Sequence, residues 1–206
     1  LFRSPPSIKG SLLHPSFLGG VNWGGIAYDP NSGLAVVNSS NLVSSVRLVP
    51  REKYDEKVHK RPGVSVYEMK GSPYVMLREV LLSSLGAPCN PPPWGRLTAI
   101  DMRTGKMRWQ IPFGRVEFST KFRSLESWGA PNQGGPIVTK SGLIFIGASL
   151  DSRFRAYDLQ SGKELWSFEV PAPATATPMT FRHSDGRQYV VVSAGGHGGF
   201  GTKLSD

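Results

Sequence analysis

The chain has 206 residues, enough for one large or two small domains, and its 24 basic and 15 acidic residues give a net charge of +9. The basic residues are scattered singly or in pairs without a recognisable nucleic-acid motif, so we interpret them as a solvated face and expect no nucleic-acid partner. The single cysteine, Cys89, excludes an internal disulfide. No apolar run approaches the roughly 18 residues that span a bilayer.

The first 50 residues predict the strands of a first β-sheet. Residues 1–20 are rich in Pro, Gly and Ser and predict an irregular approach to that sheet. The turn Asp29-Pro-Asn-Ser-Gly33 separates two strand-like segments, and a third strand is predicted further on. The three predicted strands cover about 22–28, 34–38 and 45–49.

The pattern of strands and turns lapses over residues 51–93. Charged residues dominate 51–61, and Gly86-Ala-Pro-Cys-Asn-Pro-Pro-Pro93 closes the segment. A long connection inside a compact domain is commonly functional. We therefore predict an insertion loop here, with a short helix near Val75 to Ser84.

An eleven-residue motif occurs twice in the second half of the chain. Ala99-Ile-Asp-Met-Arg-Thr-Gly-Lys-Met-Arg-Trp109 returns as Ala156-Tyr-Asp-Leu-Gln-Ser-Gly-Lys-Glu-Leu-Trp166, at an offset of 57 residues (156 − 99). Each copy predicts a strand, a polar turn and a second strand that carries the Trp. Hairpins repeated at this period favour β-propeller blades, with the Trp wedged between neighbouring blades.

The remaining segments complete this division of the chain. Residues 94–113 form a hairpin, 134–170 a complete blade and 177–206 the start of a closing blade. The apolar runs Leu143 to Ile146 and Tyr189 to Val192 predict strands that are buried on both faces. The strands of the complete blade are predicted at about 136–139, 143–149, 153–158 and 163–169.

Three polar residues follow apolar strands at matching positions. Asp151 lies eight residues after Leu143 (151 − 143), and His197 lies eight after Tyr189 (197 − 189). Loops at matching positions of adjacent blades emerge on one face, and Asn38 ends the corresponding strand of the earlier blade. Asp151 has an equally good interpretation as a turn-forming residue, whereas the glycines around His197 favour a functional loop. The glycosylation sequon that begins at Asn38 is interpreted as accidental.

Other chemical motifs fail on spacing. Gly196-His-Gly-Gly-Phe-Gly201 matches the dinucleotide pattern, but only five residues follow it, too few for the helix that would hold a pyrophosphate. No Cys and His residues have the spacing of a zinc site, and no metal ligand is assigned. No nucleophile and base can be paired, so no catalytic residue is assigned within this chain.

Several shorter motifs accompany the Trp hairpins: Asn22-Trp-Gly-Gly25, Gly86-Ala-Pro-Cys89, Pro93-Trp-Gly95, Gly134-Gly-Pro-Ile137, Ala174-Thr-Ala-Thr-Pro-Met179 and Ser193–Lys203. Together, the hairpins and these motifs resemble the C-terminal part of the membrane-bound dehydrogenases that use pyrroloquinoline quinone (PQQ) to oxidise glucose, quinate or shikimate. The resemblance implies an all-β fold, a partial β-propeller of roughly three blades from an eight-bladed propeller with tryptophan-docking motifs. It also implies that the chain is a fragment.

The resemblance implies a function as well as a fold. The family oxidises a hydroxyl of a sugar or polyol, with glucose as the expected substrate here, by transferring hydride from the carbon that bears it to PQQ held near Ca²⁺ or Mg²⁺, and it passes electrons to ubiquinone. This places the protein on the periplasmic face of the bacterial inner membrane, anchored through an N-terminal region. Asn38, Asp151 and His197 match cofactor-binding positions.

The same resemblance places the general base and the metal ligands upstream of this chain, so the isolated chain is expected to be inactive. The alternative function is a cofactor-free propeller that serves as a scaffold or protein-binding module. Such a module has no need for the glycine-rich His197 loop.

Overall fold

The fold of the chain is all-β. The computed structural model describes residues 5–115, 117–119, 122–123, 126–198 and 202–205. Helix in these ranges is limited to α1 (Glu56–His59) and two short 3₁₀ segments, Arg51–Lys53 and Glu126–Trp128. The strands are β1 (Ser11–Leu13), β2 (Ala27–Asp29), β3 (Leu34–Ser40), β4 (Ser44–Pro50), β5 (Val64–Tyr67), β6 (Tyr74–Val80), β7 (Gly95–Asp101), β8 (Lys106–Pro112), β9 (Glu117–Ser119), β10 (Phe122–Arg123), β11 (Ile137–Val138), β12 (Leu143–Ile146), β13 (Arg153–Asp158), β14 (Glu164–Glu169), β15 (Met179–Arg182) and β16 (Gln188–Val191).

Two four-stranded antiparallel sheets are the blades that the repeated hairpins predict. The first blade has the order β2-β3-β7-β8, and the second has the order β11-β12-β13-β14. Ala99 pairs with Trp109 in the first, and Ala156 pairs with Trp166 in the second. Each hairpin also has a bulge directly after that alanine. The repeat therefore encodes the same outer hairpin in both blades.

The polar turn at the centre of each repeat has the same backbone. Gly105 and Gly162 have φ angles of 70° and 71°, in the left-handed region that glycine adopts without strain. Their amides donate to the carbonyls of Asp101 and Asp158. The hydroxyl and amide of Ser161 donate to the Asp158 carboxylate and lower its pKa. Local hydrogen bonding therefore defines this turn.

Trp109 joins the two blades. Its indole Nε1 donates to the Leu159 carbonyl of the second blade at 2.9 Å, and its ring covers Gly162, where a Cβ would lie 2.8 Å from the ring carbons. It packs on a core that we call the blade junction, and the predicted wedge is confirmed. The junction consists of Leu34, Val36, Leu97, Ala99, Phe113, Ile144, Ile146, Ala148, Tyr157 and Leu159.

Three strands from the segment between the two halves of the first blade, together with β1 from the stretch predicted to be an irregular approach, form a sheet of their own, which we call the inserted sheet. Its order is β1-β4-β6-β5, all antiparallel. The predicted third strand exists as β4, but it pairs with β6 and not with the first blade. The predicted loop over 51–93 contains two strands, and the predicted helix near Val75 to Ser84 is wrong, because β4 and β5 flank this segment and hydrogen-bond it as β6.

The last hairpin, β15 and β16, forms a two-stranded sheet. Tyr189 is 39% exposed and Val191 is 47% exposed. Ile144 and Ile146 share one face of β12 and are buried, whereas Leu143 and Phe145 on its other face are only half-buried. The prediction of burial on both faces is therefore confirmed for one face of β12 only, and it is wrong for the hairpin run that begins at Tyr189. The reason is physical: among the described residues, no further strand pairs with this hairpin to cover it.

Candidate functional site

Asn38 is the first of the predicted site residues, and it lies buried near the end of β3. Its side chain is 2% exposed, and its Nδ2 donates to Asn132 Oδ1 at 2.7 Å and to the Gly134 carbonyl at 3.1 Å. Buried amides are stable in a protein only when hydrogen-bonded. Asn38 therefore ties the first blade to the loop that precedes the second.

Asn132 completes this buried network, and the sequence analysis missed it. Its Nδ2 donates to the Ser39 and Ala130 carbonyls at 3.0 and 3.1 Å. Its backbone amide donates to Ser40 Oγ, and that hydroxyl donates to the Asn132 carbonyl. The contacts that reveal the role of Asn132 are made to residues more than 90 positions earlier in the chain, so no local sequence pattern indicates that role.

Glycines bring the same loop into close backbone contact with the segment before β2. A Cβ on Gly24 would overlap the carbonyl of Gly134, and a Cβ on Gly135 would overlap the carbonyl of Gly24. Two short motifs on which the resemblance rests, Asn22–Gly25 and Gly134–Ile137, therefore meet in space. Their glycines are explained by packing within the chain.

Asp151 lies in the loop after β12 and binds an arginine. Its two carboxylate oxygens accept from Arg155 Nη1 and Nη2 at 2.8 and 2.6 Å, and Oδ2 also accepts from the Arg115 amide at 2.9 Å. The side chain of Arg155 is only 5% exposed. Burial opposes its charge, but the hydrogen bond and charge of Asp151 raise the pKa of Arg155 overall.

This arrangement of Asp151 differs from the turn-forming interpretation. The carboxylate accepts from a different loop instead of closing its own turn, and a bidentate arginine pair occupies it. Its direct partners are therefore within the chain, and the cofactor contact stays a prediction. An isolated bridge between Asn132 and Ser149 places the loop of Asp151 beside the network of Asn38.

His197 lies on the glycine-rich loop after β16. Its amide donates to Thr202 Oγ1 at 2.7 Å, and its side chain is exposed. A Cβ on Gly196 would overlap the Lys203 carbonyl, whereas a Cβ on Gly195 or Gly198 would meet nothing within 4 Å. One glycine thus serves the packing of the loop, and the other two are exposed, with open space beside them.

His197 lines an open cleft with a volume of about 390 Å³. This size is within the range of small-molecule sites. Three parts of the chain form the cleft: the segment before β2, the inserted sheet, and the loops of Gln133 and His197. The other lining residues are Phe17, Leu18, Gly19, Asn22, Ser65, Tyr67 and Arg78.

The three predicted residues thus occupy three connected positions. His197 lines the cleft. Asn38 is buried and hydrogen-bonded to Asn132, whose neighbour in the chain, Gln133, also lines the cleft. The loop of Asp151 contacts Asn132 through the bridge to Ser149. The matching offsets of Asp151 and His197 do not place them in one cavity, because the described cleft includes His197 but not Asp151. Within the described ranges, no group of three or more Asp, Glu, His or Cys residues is arranged to hold a metal ion.

Comparison with known proteins identifies the family. The model of the PQQ glucose/ethanol/alcohol dehydrogenase β-propeller domain matches residues 2–190. The chain belongs to this family. PQQ dehydrogenase relatives include the quinoprotein glucose dehydrogenase of Escherichia coli, 38% identical over 98% of this chain, and the quinate/shikimate dehydrogenase (quinone) of Acinetobacter baylyi, 39% identical over 93%.

The fold of solved PQQ dehydrogenases agrees with this membership. A quinohemoprotein alcohol dehydrogenase from Pseudomonas putida superposes with a TM-score of 0.59 at 22% identity, over 89% of this chain and 23% of that chain. The present chain matches 27% and 25% of the lengths of the glucose and quinate/shikimate relatives. It therefore spans about a quarter of such enzymes. Across the described ranges, no helix is long and apolar enough to cross a membrane.

Proposed function

We propose that this chain is part of a PQQ-dependent dehydrogenase that oxidises a hydroxyl group of a sugar or polyol, with glucose as the first candidate, and delivers the electrons to ubiquinone. The observation that carries the proposal is the family match over residues 2–190. The glucose dehydrogenase relatives favour glucose, and the quinate/shikimate relative keeps a cyclic polyol acid as a second substrate to test.

The residues of the cleft suit PQQ in their chemistry. PQQ is a planar quinone with carboxylates, and it would accept the hydride that leaves the substrate carbon. The cleft offers an imidazole at His197 and amides at Gln133 and Asn22. Hydrogen bonds from such groups orient quinone and carboxylate oxygens.

The other two predicted residues would contribute indirectly. Asn38 would hold the loop that carries Gln133, and Asp151 would hold Arg155 and the Arg115 loop, so both would shape the cofactor side of the propeller. Direct contact of Asn38 or Asp151 with PQQ remains part of the proposal. The Ca²⁺ or Mg²⁺ ligands and the general base are proposed to lie in the part of the enzyme that this chain does not span.

The proposal also includes a location. By analogy with the glucose and quinate dehydrogenase relatives, the propeller would work at the periplasmic face of the inner membrane.

Reconstitution tests the reaction. The complete gene product that contains these residues is mixed with PQQ and Ca²⁺ or Mg²⁺, and reduction of an artificial electron-acceptor dye is followed with glucose, quinate or glycerol. We expect reduction that requires PQQ and is fastest with glucose. Absence of dye reduction with every substrate, at saturating PQQ and metal, would contradict the proposal.

A matched pair of histidine variants tests the site. His197→Ala is expected to weaken PQQ or substrate binding, whereas His183→Ala, an exposed histidine after β15, is expected to leave both unchanged. Tryptophan fluorescence during PQQ titration and the KM for substrate measure the two effects. Equal behaviour of the two variants would remove His197 from the site.

A further inference from the structure

Arg78, on the inserted sheet, has an unusual electrostatic position. Its Nε is the one buried side-chain nitrogen or oxygen without a hydrogen-bond partner in the part of the chain that the structure describes. The adjacent Glu79 is paired with Arg61 at 3.1 Å, on the opposite face of the sheet. A guanidinium has five N–H donors, and leaving its buried Nε–H without an acceptor is unfavourable.

Two aromatic rings hold the Arg78 guanidinium in place. Its Cζ lies 4.5 Å from the ring centre of Phe17 and 3.9 Å from that of Tyr67. Ring faces attract the cation but do not replace hydrogen-bond acceptors in the plane of the guanidinium. The rings therefore fix the position of the group and leave its in-plane donors for another partner.

Strand register directs Arg78 to the cleft. Arg78 pairs with Val46 on β4 and with Ser65 on β5, and Ser65 also lines the cleft with His197. Arg47, one residue along β4, pairs with Leu77 and lies on the opposite face. The inserted sheet thus presents one of these two arginines to the cleft and the other to the far side.

We propose that Arg78 binds the carboxylate of a ligand in the His197 cleft, which makes the inserted sheet a specificity element of the enzyme. A carboxylate fits because it is planar, anionic and accepts two parallel N–H bonds from a guanidinium edge. The inference rests on the proposed function, and two carboxylate sources follow from it. One is PQQ itself, and the other is an acidic polyol substrate of the quinate type.

Equilibrium binding to the complete gene product distinguishes the two sources. PQQ and quinate are titrated separately by calorimetry into the wild type, Arg78→Gln, Arg78→Lys and the control Arg47→Gln. We expect Arg78→Gln to weaken binding of the recognised carboxylate about 10- to 100-fold. We expect Arg78→Lys to restore only part of it, because an ammonium lacks the planar fork, and Arg47→Gln to change nothing.

The pattern of losses assigns the ligand. A loss confined to PQQ makes Arg78 a cofactor residue, and a loss confined to quinate makes it a substrate residue. Unchanged binding of both by Arg78→Gln overturns the inference but leaves the proposed function intact. Failure of the wild type to bind PQQ overturns the proposed function. Failure of the wild type to bind both PQQ and quinate overturns both proposals.

A wild-type measurement covers the case in which the Arg78 variants unfold, which their urea midpoints would reveal. The methyl esters of quinate and of PQQ have the same rings but no carboxylate charge. We expect the ester of the recognised ligand to bind the wild type about 10-fold or more weakly than the acid. Equal affinity of acid and ester for both ligands would overturn the role of Arg78 without any substitution.

Discussion

The two tryptophans of the repeated hairpins have the same local structure and different surroundings. Trp109 pairs with Ala99, donates to the Leu159 carbonyl and covers Gly162 of the next blade. Trp166 pairs with Ala156 in the same way, but it is 47% exposed and stacks on Phe168 of its own strand. The hairpin therefore forms from local sequence, whereas burial of the Trp depends on a neighbouring blade.

The same contrast separates the blade junction from the last hairpin. Phe113, Ile144 and Ile146 are fully buried in the junction, while Phe181 in β15 is 40% exposed. Each region contains antiparallel strands. Stability in this fold is thus concentrated between blades, and single substitutions can test that distribution.

The largest effect is expected from a pair of phenylalanine truncations. Phe113→Ala should lower the free energy of unfolding by about 3–5 kcal/mol, because it opens a cavity in the blade junction. Phe181→Ala should lower it by about 1 kcal/mol or less, because its ring already contacts solvent. Urea titration measures both values. Equal losses would contradict the concentration of stability at the junction.

Alanine substitutions of two glycines separate the contact that Trp109 makes with the next blade from the cost of backbone strain. Gly105 and Gly162 have nearly the same φ, but a Cβ on Gly105 meets nothing within 4 Å, whereas one on Gly162 meets the Trp109 ring. Gly105→Ala should cost about 1–2 kcal/mol from backbone strain. Gly162→Ala should cost about 1–3 kcal/mol more, because the ring must move. A difference of zero in the unfolding free energies would mean that Trp109 is not held against this turn.

A smaller effect is expected from removing the indole N–H. Trp109→Phe loses the bond to the Leu159 carbonyl and should cost about 1 kcal/mol in urea unfolding. In Trp166→Phe the change should be about 0.5 kcal/mol or less, because this side chain is half exposed. A larger loss at Trp166 than at Trp109 would reverse the comparison.

The smallest effect concerns pH. Ser161 lowers the pKa of Asp158, so this carboxylate stabilises the fold above its unfolded pKa of 3.8, and the contribution is lost as the pH falls towards the lower folded pKa. Ser161→Ala should raise that pKa towards 3.8. Thr104→Ala should leave the pKa of Asp101 low, because the Arg103 amide is the main cause there. Carboxyl carbon NMR titration checks both. If Ser161→Ala and Thr104→Ala change the pKa of Asp158 and of Asp101 by the same amount, the Ser161 hydroxyl has no special role in lowering the pKa of Asp158.

The sequence predicted those parts of the fold that repeat locally. The Ala-to-Trp hairpins identified both blades and the docking of Trp109, because their turn and strand signals lie within eleven residues. The inserted sheet was missed, because β6 has apolar residues at both helical and strand spacings and only its pairing with β4 and β5 decides between them. β4 was assigned to the first blade because it follows β3 directly in the chain.

The candidate site was predictable to a smaller extent. Asn38, Asp151 and His197 were selected from strand ends, but the Arg155 partner of Asp151 and the Asn132 partner of Asn38 become visible only in three dimensions. Arg78 was hidden for the same reason, since its register on a sheet was not foreseen. Whether the three predicted residues touch a cofactor stays a prediction.

The inserted sheet also bears on how this chain folds. In the second blade, β12 and β13 meet across nine residues (155 − 146), whereas in the first blade β3 and β7 meet across 55 (95 − 40). For a flexible connection, that difference in closure entropy amounts to only about 1.6 kcal/mol. The rate is affected more, because non-local pairings slow folding. The second blade is therefore expected to form first, and the halves of the first blade to join after the chain between them has become a sheet.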